Sequence, residues 1–398
     1  METDLLSEYP QSVTSDGRII NGAVRNVVST TTGLVTNELG ARHVLADFYR
    51  DDYALNDSSP DSDMVVFGEG SSLTMSKSVV DFILSEWQPP SRPRILDVGC
   101  GKGLILREFA MLDMSACLTG VEPSERARRQ LADDPVLTTV CVTSLEKITA
   151  SGNGYDLIII NGVLEHVANP VLFLNTLRSL LNRDGMLFVG VPNFESNPID
   201  LITYDHMTRF TAYTLNALLP TTDLTPVRVS AELTRVPMWW MLKPVSDNSR
   251  YSAEMPFSNS NDVDRELNKA KRNQKWLDHS LIATRDAVNA AMVEERPILV
   301  YGTANLWPGM LALGMCAESD ATSIIDDNQS YWNTIRWGHR IQPPELGFEL
   351  ARGCPLVVIS ANPCYFEAIS LRIRQLTNSK ATIVGARPPE PSVFDQHK

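Results

Sequence analysis

A chain of 398 residues, 43% hydrophobic and 21% charged, is too long for one comfortable core and too apolar to stay disordered. Its formal net charge of −13 argues against a general nucleic-acid partner, which needs clustered Lys and Arg to release counterions. No apolar run approaches the ~20 residues that cross a bilayer, and the acidic opening Met1-Glu-Thr-Asp4 is the reverse of a secretory leader, so a cytoplasmic protein without a membrane partner is expected. Six scattered cysteines (Cys100, Cys117, Cys141, Cys316, Cys354, Cys364) form no CxxC pair and read as reduced fillers.

Residues 1–89 read as an N-terminal module: hairpin-like patterning from Gly17 to Thr36, then helices over Ala41–Tyr49 and Thr74–Trp87. Over residues 90–245 strands alternate with helices, as a parallel sheet with right-handed crossovers requires. The first strand runs through Asp97 into Gly99-Cys100-Gly101-Lys102-Gly103, where glycines free the backbone to approach a ligand. The second strand, Ala116–Val121, ends at Glu122-Pro123, about twenty residues on, where a doubly wound nucleotide fold holds a ribose diol on an acid. Asp97 is expected to orient the turn and accept a hydrogen bond from the ligand, and Glu122 to take the ribose hydroxyls. Lys102 makes no phosphate site, because the GxxxxGK[ST] spacing is absent.

Further strands are expected at Thr138–Val142, Tyr155–Ile160 and Gly185–Val191, a helix at Val171–Leu181, and an antiparallel closing pair at Pro226–Leu233 and Pro237–Met241. Residues 246–295 read as a Ser/Asn/Pro-rich linker and a connecting helix from about Asp262 to Glu294, either continuous or broken near Asp278. Residues 296–398 repeat the strand-and-turn pattern at Pro297–Ala304, Thr322–Asp327 and Pro355–Asn362. The fold class is therefore α/β: a Rossmann-like sheet, a second C-terminal Rossmann-like domain and a small N-terminal module. In the second unit Gly302, Asn305, Asp326 and Asn362 stand at strand ends, where open α/β sheets bind ligands.

Leu96-Asp-Val-Gly-Cys-Gly101, Glu122-Pro123 and Asn161-Gly-Val-Leu-Glu-His166, in this order, resemble the class I S-adenosylmethionine (SAM)-dependent methyltransferases. The resemblance implies SAM as cofactor, with Gly99, Cys100, Gly101, Gly103 and Pro123 around it, Ser144 and Leu145 beside the adenine, and Asn161 and Val163 near the methionyl end. Thr203-Tyr-Asp-His206 and the C-terminal strings Leu299–Ala304 and Ile324–Asn328 resemble the nucleotide-sugar C-methyltransferases, whose loop reads Tyr-x-Glu-His. That family's N-terminal zinc ribbon is similar to residues 30–53, but Val, Ser and Thr stand where its cysteines would, so no metal is expected; a plain hairpin lid fits the same residues equally well.

The resemblance implies a small-molecule acceptor, most simply a nucleotide-sugar, with Tyr53 beside it. The catalytic candidates are His206, Asp205, Tyr204 and His166. Asp205 is expected to tune His206 into a base near neutral pH, with Tyr204 or Arg209 stabilising an oxyanion; the plain alternative has His206 capping the helix that starts near Thr211. O-methylation of another small metabolite is the nearest rival, followed by a non-catalytic SAM or nucleotide scaffold and an NAD-dependent oxidoreductase using Gly302. Nothing in the chain specifies an oligomeric state.

Overall fold

The structure is a computed structural model that describes residues 2–39, 63, 65–68, 71–112, 115–134, 140–142, 144–145, 148, 154–231, 237–245, 260–378 and 380–387. Tyr53, the helix expected at Ala41–Tyr49 and most of the expected linker lie outside the described residues.

The central sheet has seven strands in the order Val140–Val142, Cys117–Val121, Arg94–Val98, Tyr155–Asn161, Leu181–Val191, Met238–Pro244, Leu224–Ser230. The first five are parallel, and the last two pair antiparallel as the closing strands. Successive residues of its middle strand enter different cores: Ile158 and Ile160 pack with Leu96, Leu174 and Trp240, whereas Leu157 and Ile159 pack with Ile95, Phe188 and Val79. A strand buried on both faces has no polar alternation to show, which is why these runs read as continuous apolar segments. Val79 and Ile83 come from the helix Met75–Glu86, capped by Thr74, whose side chain accepts from the Lys77 amide.

The N-terminal module is a second sheet. Its strands Thr3–Tyr9, Val24–Ser29 and Val35–Asn37 are followed by Thr208–Arg209, which pairs antiparallel with Val35-Thr36. The segment just after His206 is thus an edge strand of the N-terminal sheet, which anchors the intervening loop at its far end.

A third, six-stranded sheet runs Ile335–Arg336, His339–Gln342, Ser323–Ile325, Ile298–Tyr301, Leu356–Ile359, Thr382–Gly385, parallel except for the edge hairpin. One unbroken helix, Ser260–Val293, connects the parts and passes straight through Asp278; it contains no Pro or Gly to interrupt it. Its Leu277, Leu281 and Val288 share one core with Val28 and Val35 of the N-terminal sheet, Ile199, Leu201 and Ile202, and Ile298 and Val300 of the third sheet. Gly33 shows how tight this joint is: φ is +71°, and a Cβ there would fall 2.4 Å from the Glu266 Cβ on the helix.

Candidate functional site

The Arg94–Val98 strand delivers Asp97, 2% exposed, to the start of a turn in which Gly99, Gly101 and Gly103 all have positive φ (74°, 52° and 76°). The Gly99 and Cys100 amides donate to the Val121 carbonyl at 2.7 and 3.1 Å, closing the turn onto the next strand. Glu122, 5% exposed, accepts one backbone N–H at each oxygen: Gly101 at 2.9 Å and Ser124 at 2.8 Å. Burial pushes its carboxyl above the usual range although both N–H groups oppose this. Each carboxylate oxygen still has a lone pair for a ligand hydroxyl.

The Cys100 thiol turns into the core beside Gly120, so only its backbone faces the turn. The Pro123 carbonyl accepts from Arg128, and the Leu145 carbonyl accepts from the Ile148 amide at 2.9 Å while Ser144 beside it is half-buried. Val163 packs against Gly99, where a Cβ would come within 2.5 Å of Val163 Cγ2. Asn161 lies against Gly190, and its Oδ1 is buried with no hydrogen-bond partner among the described residues. Two buried carboxylates, an unsatisfied amide oxygen and bare backbone at three positive-φ glycines suit the ammonium and ribose hydroxyls of SAM.

Two residues past Val163 begins a buried cluster of ionisable groups. Glu165 is 3% exposed, its Oε2 has no hydrogen-bond partner among the described residues, and burial raises its pKa. His166 Nδ1 meets the Asp205 carbonyl at 2.9 Å, and its ring stands edge-on to that of His206, centroids 4.7 Å apart. His206 Nδ1 is hydrogen-bonded to Asp200, a carboxylate 2% exposed in the short turn Pro198–Ile202. Burial alone would depress the His206 pKa, but the carboxylates of Asp200, Asp205 and Glu165 prevail and hold it up at about 9. Burial likewise works against ionisation of Asp200 and Asp205, yet the neighbouring histidines keep both below the usual carboxylate range.

Two expectations are corrected here. The carboxylate on the His206 ring is Asp200, not Asp205, and the histidine is set well above neutral pH. Asp205 turns the other way, accepting from the Ser15 amide at 2.7 Å and the Ser15 hydroxyl at 2.6 Å. Arg209 is 1% exposed and donates to the carbonyls of His206, Thr203 and Asp200 at 2.6, 2.8 and 3.2 Å. A guanidinium donating to three loop carbonyls staples the loop, and its Nε has no hydrogen-bond partner among the described residues. The helix Ala212–Leu218 is capped by Thr211, so His206 does not cap it. Tyr204 is half-buried with its ring against Gly22; its amide donates to the Val13 carbonyl at 2.8 Å.

Strand ends of the third sheet reach this loop. Asn305 Nδ2 donates to the Thr203 hydroxyl at 3.1 Å, and the turn carrying Ser15 is held by Arg336 on the Asp16 carbonyl and Trp337 on the Gly17 carbonyl. Gly302 (φ 92°) leaves no room for a side chain, since a Cβ would fall 2.7 Å from the Ser360 carbonyl oxygen. Asp326 accepts from the Asn328 amide at 2.8 Å and from Thr303 at 3.4 Å, and burial raises it to about 6. Asn362 caps the following turn by accepting from the Cys364 amide. Thus His166, Tyr204, Asp205, His206 and Arg209 come together with Glu165 and Asp200, and Asn305 joins them as a loop contact; Asp326 and Asn362 serve their own turns. Glu165, His166 and His206 offer atoms within 4.8 Å of one another and are, among the described residues, the group that could hold a metal ion. Among the same residues no helix is long and apolar enough to cross a membrane.

A family model described as a methyltransferase domain matches residues 74–229. The chain contains a class I SAM-dependent methyltransferase domain. That domain takes SAM as its cofactor. A ubiquinone biosynthesis O-methyltransferase of Agrobacterium fabrum is 32% identical over 104 residues, 25% of this chain and 41% of that protein. A mitochondrial ubiquinone biosynthesis O-methyltransferase of Arabidopsis thaliana is 27% identical over 197 residues, 47% of this chain and 58% of that one. The chain therefore spans less than two thirds of the relatives it matches. A crystal structure of the plantazolicin methyltransferase BpumL with S-adenosylhomocysteine (SAH) aligns at 18% identity and a TM-score of 0.35, over 42% of this chain and 82% of that one; so low a score carries no functional argument.

Sequence reasoning passed over Asp200 and Ser15. An acid within the apolar run Pro198-Ile-Asp-Leu-Ile202, six residues before a candidate histidine, was the available signal for the first. Ser15 meets Asp205 across 190 positions, and nothing local announces it.

Proposed function

We propose that this chain transfers the methyl of SAM to an oxygen atom of a small acceptor. The observation that carries the reading is the contact of Val163 with Gly99, which sets the Glu165–His166–His206 cluster directly beside the glycine turn. The O-methyltransferases among its relatives support oxygen as the receiving atom.

When bound, SAM supplies an electrophilic methyl for in-line displacement. Asp97, Glu122 and the glycine turn would hold it. The chain's own task is to orient the acceptor hydroxyl, exclude water and take its proton. His206 Nε2 is the atom assigned that proton: the oxygen–carbon bond forms, the sulfur–carbon bond breaks, SAH leaves, and the proton stays on His206. Because the surrounding carboxylates hold the His206 pKa up at about 9, the ring accepts this proton only in its neutral form, and turnover should rise with pH toward that value.

A second reading, C-methylation of a nucleotide-linked sugar, is favoured by one observation: the third sheet reaches the catalytic loop through Asn305, and its strand ends are polar. Incubating the full chain with methyl-labelled SAM and two panels, hydroxylated aromatics and nucleotide-linked keto-sugars, followed by mass spectrometry, separates the two. Label on oxygen of the first panel supports O-methylation. Label only on a sugar carbon overturns it, and no transfer to either panel removes both.

A further inference from the structure

We infer that Asp200 is the positioning residue for His206: it fixes the ring as the Nδ1–H tautomer and so leaves Nε2 as the nitrogen that handles the acceptor's proton. The assignment rests on the proposed function for its meaning, but on geometry for its support. A carboxylate can only accept, so the hydrogen bond from His206 Nδ1 to Asp200 Oδ1 puts the ring proton on Nδ1. Asp200 is itself immobilised. It sits in the one-turn segment Pro198–Ile202, whose Ile199, Leu201 and Ile202 are in the core shared with the long helix, and its carbonyl accepts from the same Arg209 that grips the carbonyls of Thr203 and His206. Both ends of the hydrogen bond therefore hang from one guanidinium.

The other groups facing the ring do not substitute for Asp200. Asp205 is engaged by Ser15 through both its oxygens. Glu165 has its Oε1 4.0 Å from His166 Nε2 and its Oε2 without a hydrogen-bond partner among the described residues, and His166 meets His206 in a T-shaped contact and is bound to the Asp205 carbonyl. Asp200 is the group bonded to the histidine, and the arrangement matches the carboxylate that orients a catalytic imidazole in hydrolase triads.

Asp200→Asn keeps the size of the side chain but offers an N–H as well as a carbonyl, so the ring can adopt the other tautomer. Turnover should then fall roughly 10²–10⁴-fold, with the SAH dissociation constant and the acceptor KM unchanged. The rising limb of the pH–rate profile should move down toward that of free histidine. Ser15→Ala, which loosens Asp205 and leaves the Asp200 hydrogen bond intact, should move the limb less than Asp200→Asn does and leave the His206 tautomer unchanged. Above pH 9, where His206 is neutral, nitrogen-15 NMR of histidine-labelled full-length parent protein should show two rings protonated at Nδ1, those of His166 and His206, and the His206 signal should be absent in His206→Gln and altered in Asp200→Asn. Failure of the methyl-transfer reading would show as no turnover with this signal intact. The positioning role itself is overturned if the parent His206 carries its neutral-form proton on Nε2, or if Asp200→Asn keeps the parental turnover and pH profile. Because the parent's NMR signal needs only His206→Gln for its assignment, an Asp200→Asn protein that fails to fold leaves the idea testable.

Discussion

The chain contains two strand-and-turn units of the same topology put to opposite uses. After Asp97, three glycines have positive φ, the first against Val163, and a buried Glu122 is set by two backbone N–H groups. After Tyr301, the single Gly302 is pressed against the Ser360 carbonyl, and Asn305 is spent on the Thr203 hydroxyl of the loop that carries His206. An open sheet edge is only an opportunity for binding. Whether it is taken depends on what is packed against it, and here the second edge is partly occupied by the protein's own loop and by the Ser15 turn.

If this contrast holds, substitutions in the first unit change chemistry and cofactor affinity, and those in the second change stability. The largest effect belongs to the loop between them. His206→Gln should lower turnover roughly 10²–10⁴-fold while SAH binding, followed by calorimetry, stays at the parental value; retention of turnover would remove the ring from the reaction.

Next comes Glu122→Ala, which should weaken SAH by ~1–3 kcal/mol through loss of a charged partner for the ribose hydroxyls. Unchanged affinity would mean that the first turn is no more a cofactor site than the second.

Gly302→Ala tests the other side. At φ 92° with a backbone oxygen 2.7 Å from the new methyl, it should cost ~1–3 kcal/mol of unfolding free energy and leave SAH affinity alone, as read by denaturant titration with and without SAH.

Asp326 offers a subtler probe of the same unit. Burial raises its folded pKa to about 6 from an ordinary value near 3.8, so the fold favours its protonated form. The resulting stability is present below pH ~3.8 and is lost as pH rises to ~6. Asp326→Asn should flatten the decline in the urea midpoint across that window.

The smallest expected effect concerns Glu165, His166 and His206, the one described group able to hold a metal. With the cluster working as an acid–base site, dialysis against a chelator should leave turnover unchanged. A chelator-sensitive enzyme restored by a divalent ion would assign the cluster to a metal instead.

Local features were legible from residues alone because their causes are local. Asp97, the glycine turn and Glu122 follow from the conformational demands of a tight strand-to-helix turn. The closing antiparallel pair and the helix after Thr74 follow from hydrophobic spacing and a capping side chain. Periodicity does not decide whether the helix runs on through Asp278, since the spacing there tolerates either outcome.

What only the tertiary structure decided is which groups meet. Asp200 displaced Asp205 as the partner of His206 because the Thr208–Arg209 edge strand and the Arg209 staple bend the loop back on itself, while Ser15, 190 positions away, holds both oxygens of the Asp205 carboxylate. Arg209 became a loop fastener for the same reason: a fully buried guanidinium must satisfy its donors on whatever carbonyls surround it. Residue types set what chemistry is available, but the partner of each buried charge is fixed by desolvation and packing across distant segments, and no local pattern encodes that.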